Sequence, residues 1–188
     1  MYNEIQYWNK RKNPNSKEGS CNLPVSFLCY IKKHLEGCNY VLEFGPGVGR
    51  VFAAYGSLKQ IECFDITNRH LATLTSAARN YNFKMNFTLG HEVGVTPYKN
   101  KEFDATVVCQ VLLHQKPQNI NRVMKELLRI SNKVIVVSWR ENGKPVGSGG
   151  PGGHCFNYDY LKICNDVGWQ TFDVRYDSKH ISFVYAQK

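Results

Sequence analysis

The sequence has no uninterrupted apolar run approaching the roughly eighteen residues that a membrane span needs. Its opening, MYNEIQYWNKRKNPNSKEGS, is polar from the third residue. Neither a membrane span nor a secretory leader is therefore expected, and a cytoplasmic location follows. No CxxC pair occurs. The seven cysteines (Cys21, Cys29, Cys38, Cys63, Cys109, Cys155, Cys164) are odd in number, and several sit inside apolar runs such as ATVVCQVLL. That usage reads as small buried side chains in a reducing compartment, neither a disulfide framework nor zinc ligands. HExxH and paired-histidine spacings are missing, so no metal is expected. There is no internal repeat and no low-complexity tract.

Negative charge is the scarcer sign, with 15 Asp and Glu against 24 Lys and Arg and a net charge of +9. Such a field attracts polyanions without requiring one. The basic residues are dispersed, although Arg122, Lys125 and Arg129 fall at helical spacing on one face. A solvated face accounts for them more simply than a nucleic-acid footprint.

The chain has 188 residues, of which 43% are hydrophobic. That is the size of one domain able to bury a continuous core. Residues 1–38 are expected to supply an N-terminal arm or lid and a first helix, and residues 39–188 the core. NKRKNPNSKEGS reads as a loop or mobile arm, with the ordered core beginning after it. From Asn22 to Glu36, Val25, Leu28, Ile31 and Leu35 recur at helical spacing, with Pro24 suited to the first turn and Gly37 to the end. YVLEFG then reads as a buried strand, VGRVFAAYG as a short helix and QIECFD as a second strand. Thr67 is placed to cap a helix carrying Leu71, Leu74 and Ala78. KMNFTLG and FDATVVCQVLL continue as strands, QNINRVMKELLRI as a helix, KVIVVSW as a strand and NYDYLKICNDVG as a helix. Apolar strands alternating with amphipathic helices imply a three-layer αβα sandwich around a mostly parallel sheet. WQTFDVRYD and HISFVYAQK are separated only by a short link and are expected to form a C-terminal antiparallel hairpin, completing seven strands.

In such sheets ligands bind beyond the carboxyl ends of the strands, which is where VLEFGPGVGR lies. A dinucleotide fingerprint would need glycine at position 50, which is Arg50; the spacing is GxGxG. Pro46 has no backbone N–H for a phosphate, and Glu43 would set a negative charge beside a pyrophosphate. A cofactor with a cationic end and no phosphate fits better. Glu43 attracts an ammonium, and the glycines allow a bulky ligand to approach the backbone. S-adenosylmethionine has that charge distribution.

Through VLEFGPGVGR, IECFDIT, FTLGHEVGVTPYKNKEFDATVVCQVLLHQ, KVIVVSW and the closing hairpin, the chain from Tyr40 to Lys188 resembles the class I S-adenosylmethionine-dependent methyltransferases, whose fold is Rossmann-like. The resemblance implies that Glu43, Gly45, Gly47 and Gly49 hold the methionine end of S-adenosylmethionine, which becomes S-adenosylhomocysteine on transfer. It also implies that Asp65 accepts hydrogen bonds from the ribose hydroxyls and that Ile66 lies near the adenine. The acidic position that the family often places after the third strand is His91 here, with Glu92 next. Glu92 and Val93 are the adenine candidates, and Gln110, closing the fourth strand, joins the cofactor set.

His114 follows the fourth strand, where the family often carries histidine, and is a candidate for catalysis or acceptor positioning. The long segment RENGKPVGSGGPGGHCF suits a substrate loop, with His154 and Phe156 as contact candidates and His154 as a second catalytic one. Near the start, YNEIQYW supplies Tyr2, Tyr7 and Trp8. Aromatic faces attract cations, so Tyr7 and Trp8 are candidates to close over the sulfonium; simple packing onto the core is the competing account. The segments that amino-group DNA methyltransferases use to stack a flipped base are absent, as is a Pro-Cys pair for attack on a pyrimidine. The expectation is methyl transfer to oxygen or nitrogen of a small molecule. The alternatives are an RNA or protein side chain as acceptor, or a non-catalytic subunit that only binds the cofactor.

Overall fold

Strands rich in Val, Ile, Phe and Cys with period-2 alternation can bury both faces only if helices cover both. The computed structural model has this arrangement. It describes residues 3–10, 23–56, 58, 60–139, 154–177 and 180–187. Tyr2, Cys21, the polar arm at 11–22 and most of the loop between His154 and the fifth strand lie outside them.

The elements are α1 (Glu4–Lys10), α2 (Val25–Leu35), β1 (Val41–Phe44), β2 (Gln60–Asp65), α3 (Leu71–Asn80), β3 (Lys84–Leu89), β4 (Phe103–Cys109), α4 (Pro117–Ile130), β5 (Ser131–Trp139), α5 (Tyr160–Asp166), β6 (Trp169–Asp177) and β7 (His180–Gln187). The seven strands form one sheet in the order β3-β2-β1-β4-β5-β7-β6. The first five are parallel, and β7 runs antiparallel to both β5 and β6. The expected sandwich and C-terminal hairpin are both present. Among the described residues no helix is long and apolar enough to cross a membrane.

Alternation along the strands sorts the core into two layers. Val41, Ile61, Cys63, Val107, Ile135 and Val184 face α2 and α3. Leu42, Phe64, Val108, Val136, Phe183 and Tyr185 face α4 and α5. Helix α4 buries Ile120, Val123, Met124, Leu127 and Leu128 along one stripe and starts with Pro117 in its first turn.

Several local expectations are corrected. In α2 the buried stripe is Phe27, Tyr30, Ile31 and Leu35, while Val25 is 73% exposed. The large rings of Phe27 and Tyr30 take the core positions in place of Val25. VGRVFAAYG forms only a 3₁₀ turn over Phe52–Ala54, because Phe52 and Tyr55 both turn inward and Gly56 follows at once. Thr67 does not cap α3: its hydroxyl accepts from Arg69 N at 3.3 Å, and the helix starts at Leu71 after His70. Order does not begin only after the polar arm, since α1 precedes it. Glu4 is buried there, accepting from Asn119 Nδ2 at 3.1 Å and lying 3.7 Å from Lys116 Nζ. Cys63, Cys109 and Cys164 are buried as expected, whereas Cys29 is exposed.

The basic face of α4 is largely neutralised. Arg122 pairs with Glu92 at 2.7 Å and Arg129 with Glu126 at 2.7 Å. On the hairpin, β6 carries a bulge between Phe172 and Arg175. Asp173 has φ of 47° there, and its carboxylate takes Lys33 Nζ at 2.7 Å and His34 Nε2 at 2.8 Å.

Leu127 is fully buried against the α4–α5 layer. Leu127→Ala should cost about 3 kcal/mol, which corresponds to a melting temperature lower by roughly 6–12 °C in thermal denaturation.

Candidate active site

Strand order reverses between β1 and β4, whose following loops leave in opposite directions and open a crevice at their carboxyl ends. A cavity of about 460 Å³ lies there. Its floor and walls come from Glu43 and the loop after β1, from Asp65 and Ile66 at the end of β2, and from Gln110, Val111, Leu113, His114 and Gln115 after β4.

The glycine loop is set by backbone requirements. Gly45 has φ of 73°, and a Cβ there would lie 2.4 Å from Val111 Cγ2, so only glycine lets the turn pass beneath the β4 loop. Its N–H donates to Phe64 O at 2.8 Å. Gly47, with φ of 54°, differs: a Cβ there would meet no atom within 4 Å, which leaves room for a ligand against the backbone. Gly49 is not part of the lining and packs against the Phe52 ring and Ala77.

Glu43 follows Val41 and precedes Gly45 on the α2-facing side of the sheet, so its carboxyl is carried inward and is 2% exposed. Burial pushes its pKa up to about 8, and the nearby Tyr55 hydroxyl and Arg50 offset this only in part. Glu43 Oε2 and the Tyr55 hydroxyl are both buried at distances that leave them without a hydrogen-bond partner among the described residues. Orphaned buried oxygens of this kind are costly unless a ligand completes them. Asp65 is pushed up to about 6 by burial, against which backbone N–H groups of Thr67, Gly47 and Ile66 act; Thr67 N donates to its Oδ1 at 3.2 Å.

At the other end of the cavity stand Trp8, His114, His154 and Cys155. His114 is carried by the 3₁₀ turn Leu112–His114, and His154 and Cys155 come from the chain leading into α5. Trp8 meets His114 edge-on with centroids 4.8 Å apart. Tyr7 stacks on His154 at 4.6 Å, its hydroxyl 3.2 Å from both ring nitrogens. Helix α1 therefore closes over the strand ends, with Trp8 in the lining and Tyr7 behind His154.

The sequence-derived residues divide accordingly. Glu43, Gly45, Gly47, Asp65, Ile66, Val93, Gln110, Trp8, His114 and His154 line one cavity. Four of them lie outside that lining, Tyr7 behind His154 and the other three as follows. Glu92 turns away to pair with Arg122 and is 61% exposed at its side chain, because the guanidinium on α4 competes for it outside the crevice. Gly49 serves packing. Phe156 joins the apolar cluster under α4 and α5, with its backbone N–H donating to Leu113 O at 2.7 Å. Tyr55, Trp139 and Cys155 were not anticipated. Trp139 ends a parallel strand, a position that could have marked it; no sequence signal ties Tyr55 to Glu43.

A buried carboxyl, a half-buried one and a glycine turn meet at a switch-point cavity, an arrangement that suits a ligand with a cationic end and sugar hydroxyls. The protein-family comparison matches residues 41–133 to the model described as "Methyltransferase domain". A search of curated protein sequences found no significant match. Among solved structures, the [4+2]-cyclase SpnF superposes with a TM-score of 0.72 at 17% identity, covering 86% of this chain and 80% of that one. A protein from Pyrococcus horikoshii OT3 gives 0.70 at 15% identity over 97% and 99%. The 1,6-didemethyltoxoflavin-N1-methyltransferase of Burkholderia thailandensis, solved with S-adenosylhomocysteine, gives 0.69 at 14% over 87% and 77%. At these identities the superpositions speak to fold. Residues 41–133 thus match a methyltransferase domain in sequence, and the superpositions show the fold that carries it. The orphaned Glu43 oxygen and the open space at Gly47 fit S-adenosylmethionine.

The raised carboxyls carry a stability signature. A carboxyl whose folded pKa exceeds its unfolded one leaves the fold unpenalised below the unfolded value, and stability is lost as pH rises through the folded value. For Glu43 that window runs from about 4.5 to about 8. Glu43→Gln should therefore match wild type in melting temperature near pH 4.5 without ligand. It should exceed wild type at pH 8.5 by roughly 4–8 °C, on the order of 2 kcal/mol.

Proposed function

We propose that this enzyme methylates an oxygen or nitrogen atom of a small molecule held between Trp8, His114, His154 and the glycine loop. The observation that carries this reading is the closure of α1 over the strand ends, which puts Trp8 and His114 in edge contact inside the cavity wall. An enclosed aromatic wall suits a small acceptor, and it excludes water from the transfer. The Burkholderia thailandensis structure holds 1,6-didemethyltoxoflavin, a small molecule, in the same fold. The ion pairs of Arg122 and Arg129 weigh against α4 as a nucleic-acid face.

Bound S-adenosylmethionine supplies a methyl group activated by a sulfonium. The chain's residues do the rest by placement. Glu43 would balance the cationic amino end, and Gly45 and Gly47 would admit the methionine backbone. Asp65 would accept the two ribose hydroxyls, Ile66 and Val93 would flank the adenine, and Gln110 would border the methionine end. His114 and His154 would face the acceptor and orient its reactive atom.

Calorimetric titration with S-adenosylmethionine, S-adenosylhomocysteine and NAD, at low and moderate salt, tests this. The first two should bind with little salt dependence and NAD should not; binding of NAD alone would overturn the site. Both carboxyls act as anions toward the cofactor, so its affinity should rise from pH 6 to pH 8.5 as they ionise. Asp65→Ala should weaken binding by about 1–3 kcal/mol while leaving the fold intact. With the cofactor bound, turnover of small phenolic, carboxylic or heterocyclic acceptors without any macromolecule is the expected result. Turnover only with RNA or protein would reassign the acceptor.

A further inference from the structure

We propose that His114, His154 and Cys155 form a binding site for a borderline-soft transition-metal ion, Zn²⁺ in the first instance, at the acceptor end of the cofactor cavity. No ligand spacing in the sequence announces it. His154 and Cys155 are adjacent in the chain, and the third ligand lies 40 residues earlier on the turn after β4. The fold brings them together: one donor atom from each lies within 4.8 Å of the others.

The geometry is close to that of a ligand set. Two ligands on one tetrahedral zinc, with Zn–N near 2.0–2.1 Å and Zn–S near 2.3 Å, sit about 3.5–3.6 Å apart. His114 Nδ1 and Cys155 Sγ are 3.6 Å apart. The His114 and His154 rings stack, 14° between planes with centroids 5.2 Å apart, so the His154 ring must rotate out of this stack for its in-plane lone pair to meet the ion that His114 and Cys155 approach. All three residues line the cavity, and the cavity gives room for a fourth, exchangeable ligand. Three protein ligands and one exchangeable position is the arrangement of zinc sites that act on a substrate.

Donor chemistry selects the ion. Two imidazoles and a thiolate, with no carboxylate in the set, favour Zn²⁺, Co²⁺ or copper over Mg²⁺ or Ca²⁺, which want oxygen. The Tyr7 hydroxyl, 3.2 Å from the His154 ring nitrogens, and the Trp8 edge on His114 fix both rings from the α1 side, and such outer contacts tune metal affinity. His114 Nδ1 also lies 3.2 Å from the carbonyl of His154, a contact the ion would replace. Loading requires loss of the thiol proton to solvent, so affinity rises with pH.

The test reads metal binding and not turnover, so it stands apart from the acceptor reading. The untagged full chain, stripped by chelator, is titrated with Co²⁺ and then with Zn²⁺ against a chromophoric competitor. A single equivalent of Co²⁺ should give a thiolate-to-cobalt charge-transfer band in the near ultraviolet, and Zn²⁺ should abolish it. Cys155→Ser should lose the band, and both Cys155→Ser and His114→Ala should weaken Zn²⁺ binding by at least about tenfold. Cys29→Ser, at the exposed cysteine, should change neither. Absence of the band in the wild type, or its persistence in Cys155→Ser, overturns the site. Should either ligand variant fail to fold, alkylation of the wild type read by mass spectrometry decides. Zn²⁺ should protect Cys155 and leave Cys29 reactive, and equal labelling with and without Zn²⁺ refutes the proposal.

Discussion

A carboxylate buried at the point where the sheet reverses direction is the constraint around which the rest of the molecule is arranged. Glu43 stands on the inward side of β1, one residue from the loop that turns under β4, in surroundings that favour its protonated form. A chain optimised only for stability would place an apolar side chain there, as it does at Val41 on the same face. The charge is tolerated because two apolar layers on either side of the sheet supply a surplus of burial. The same trade sets Asp65 at the end of the neighbouring strand, so both carboxyls converge on one cavity without sharing an element.

Glycine enters the site in two physically different ways. At Gly45 the need is internal, since Val111 fills the space a side chain would take. At Gly47 nothing of the protein fills it, and the left-handed backbone serves the ligand alone. Gly49 belongs with Gly45 in kind, against Phe52 and Ala77. The loop is thus a packed hinge with one open residue at its crest.

The sheet was legible because its signals are periodic and local. Apolar strands at β1, β2, β4 and β5, the stripe on α4 and the short link before β7 each read from a window of about ten residues. The rule that ligands sit at carboxyl ends pointed to the loop after β1, and the resemblance to the methyltransferases added Asp65 and Gln110, which line the same cavity. What escaped depends on contacts between distant segments. Helical spacing could not tell that Phe27 and Tyr30 would displace Val25 from the core. The pairing of Glu92 with Arg122 spans 30 positions, and Tyr55 approaches Glu43 only because a 3₁₀ turn replaced a longer helix. The aromatic pair Tyr7 and Trp8 marked α1 as a lid candidate, but no local pattern named His154 as the ring on which Tyr7 stacks.

The bulge at Asp173 bears on how this molecule behaves among copies of itself. Among the described residues strand β6 ends the sheet, carrying exposed Phe172 and Tyr176, a combination that invites edge-to-edge pairing. The interruption between Phe172 and Arg175 breaks the regular register that an incoming strand would need. Lys33, His34 and Arg175 gather around Asp173 and hold its carboxylate well below the usual range, crowding that stretch with charge. An irregularity in one strand thereby acts as a guard on colloidal stability, keeping a basic, aromatic-rich protein from growing along its own sheet.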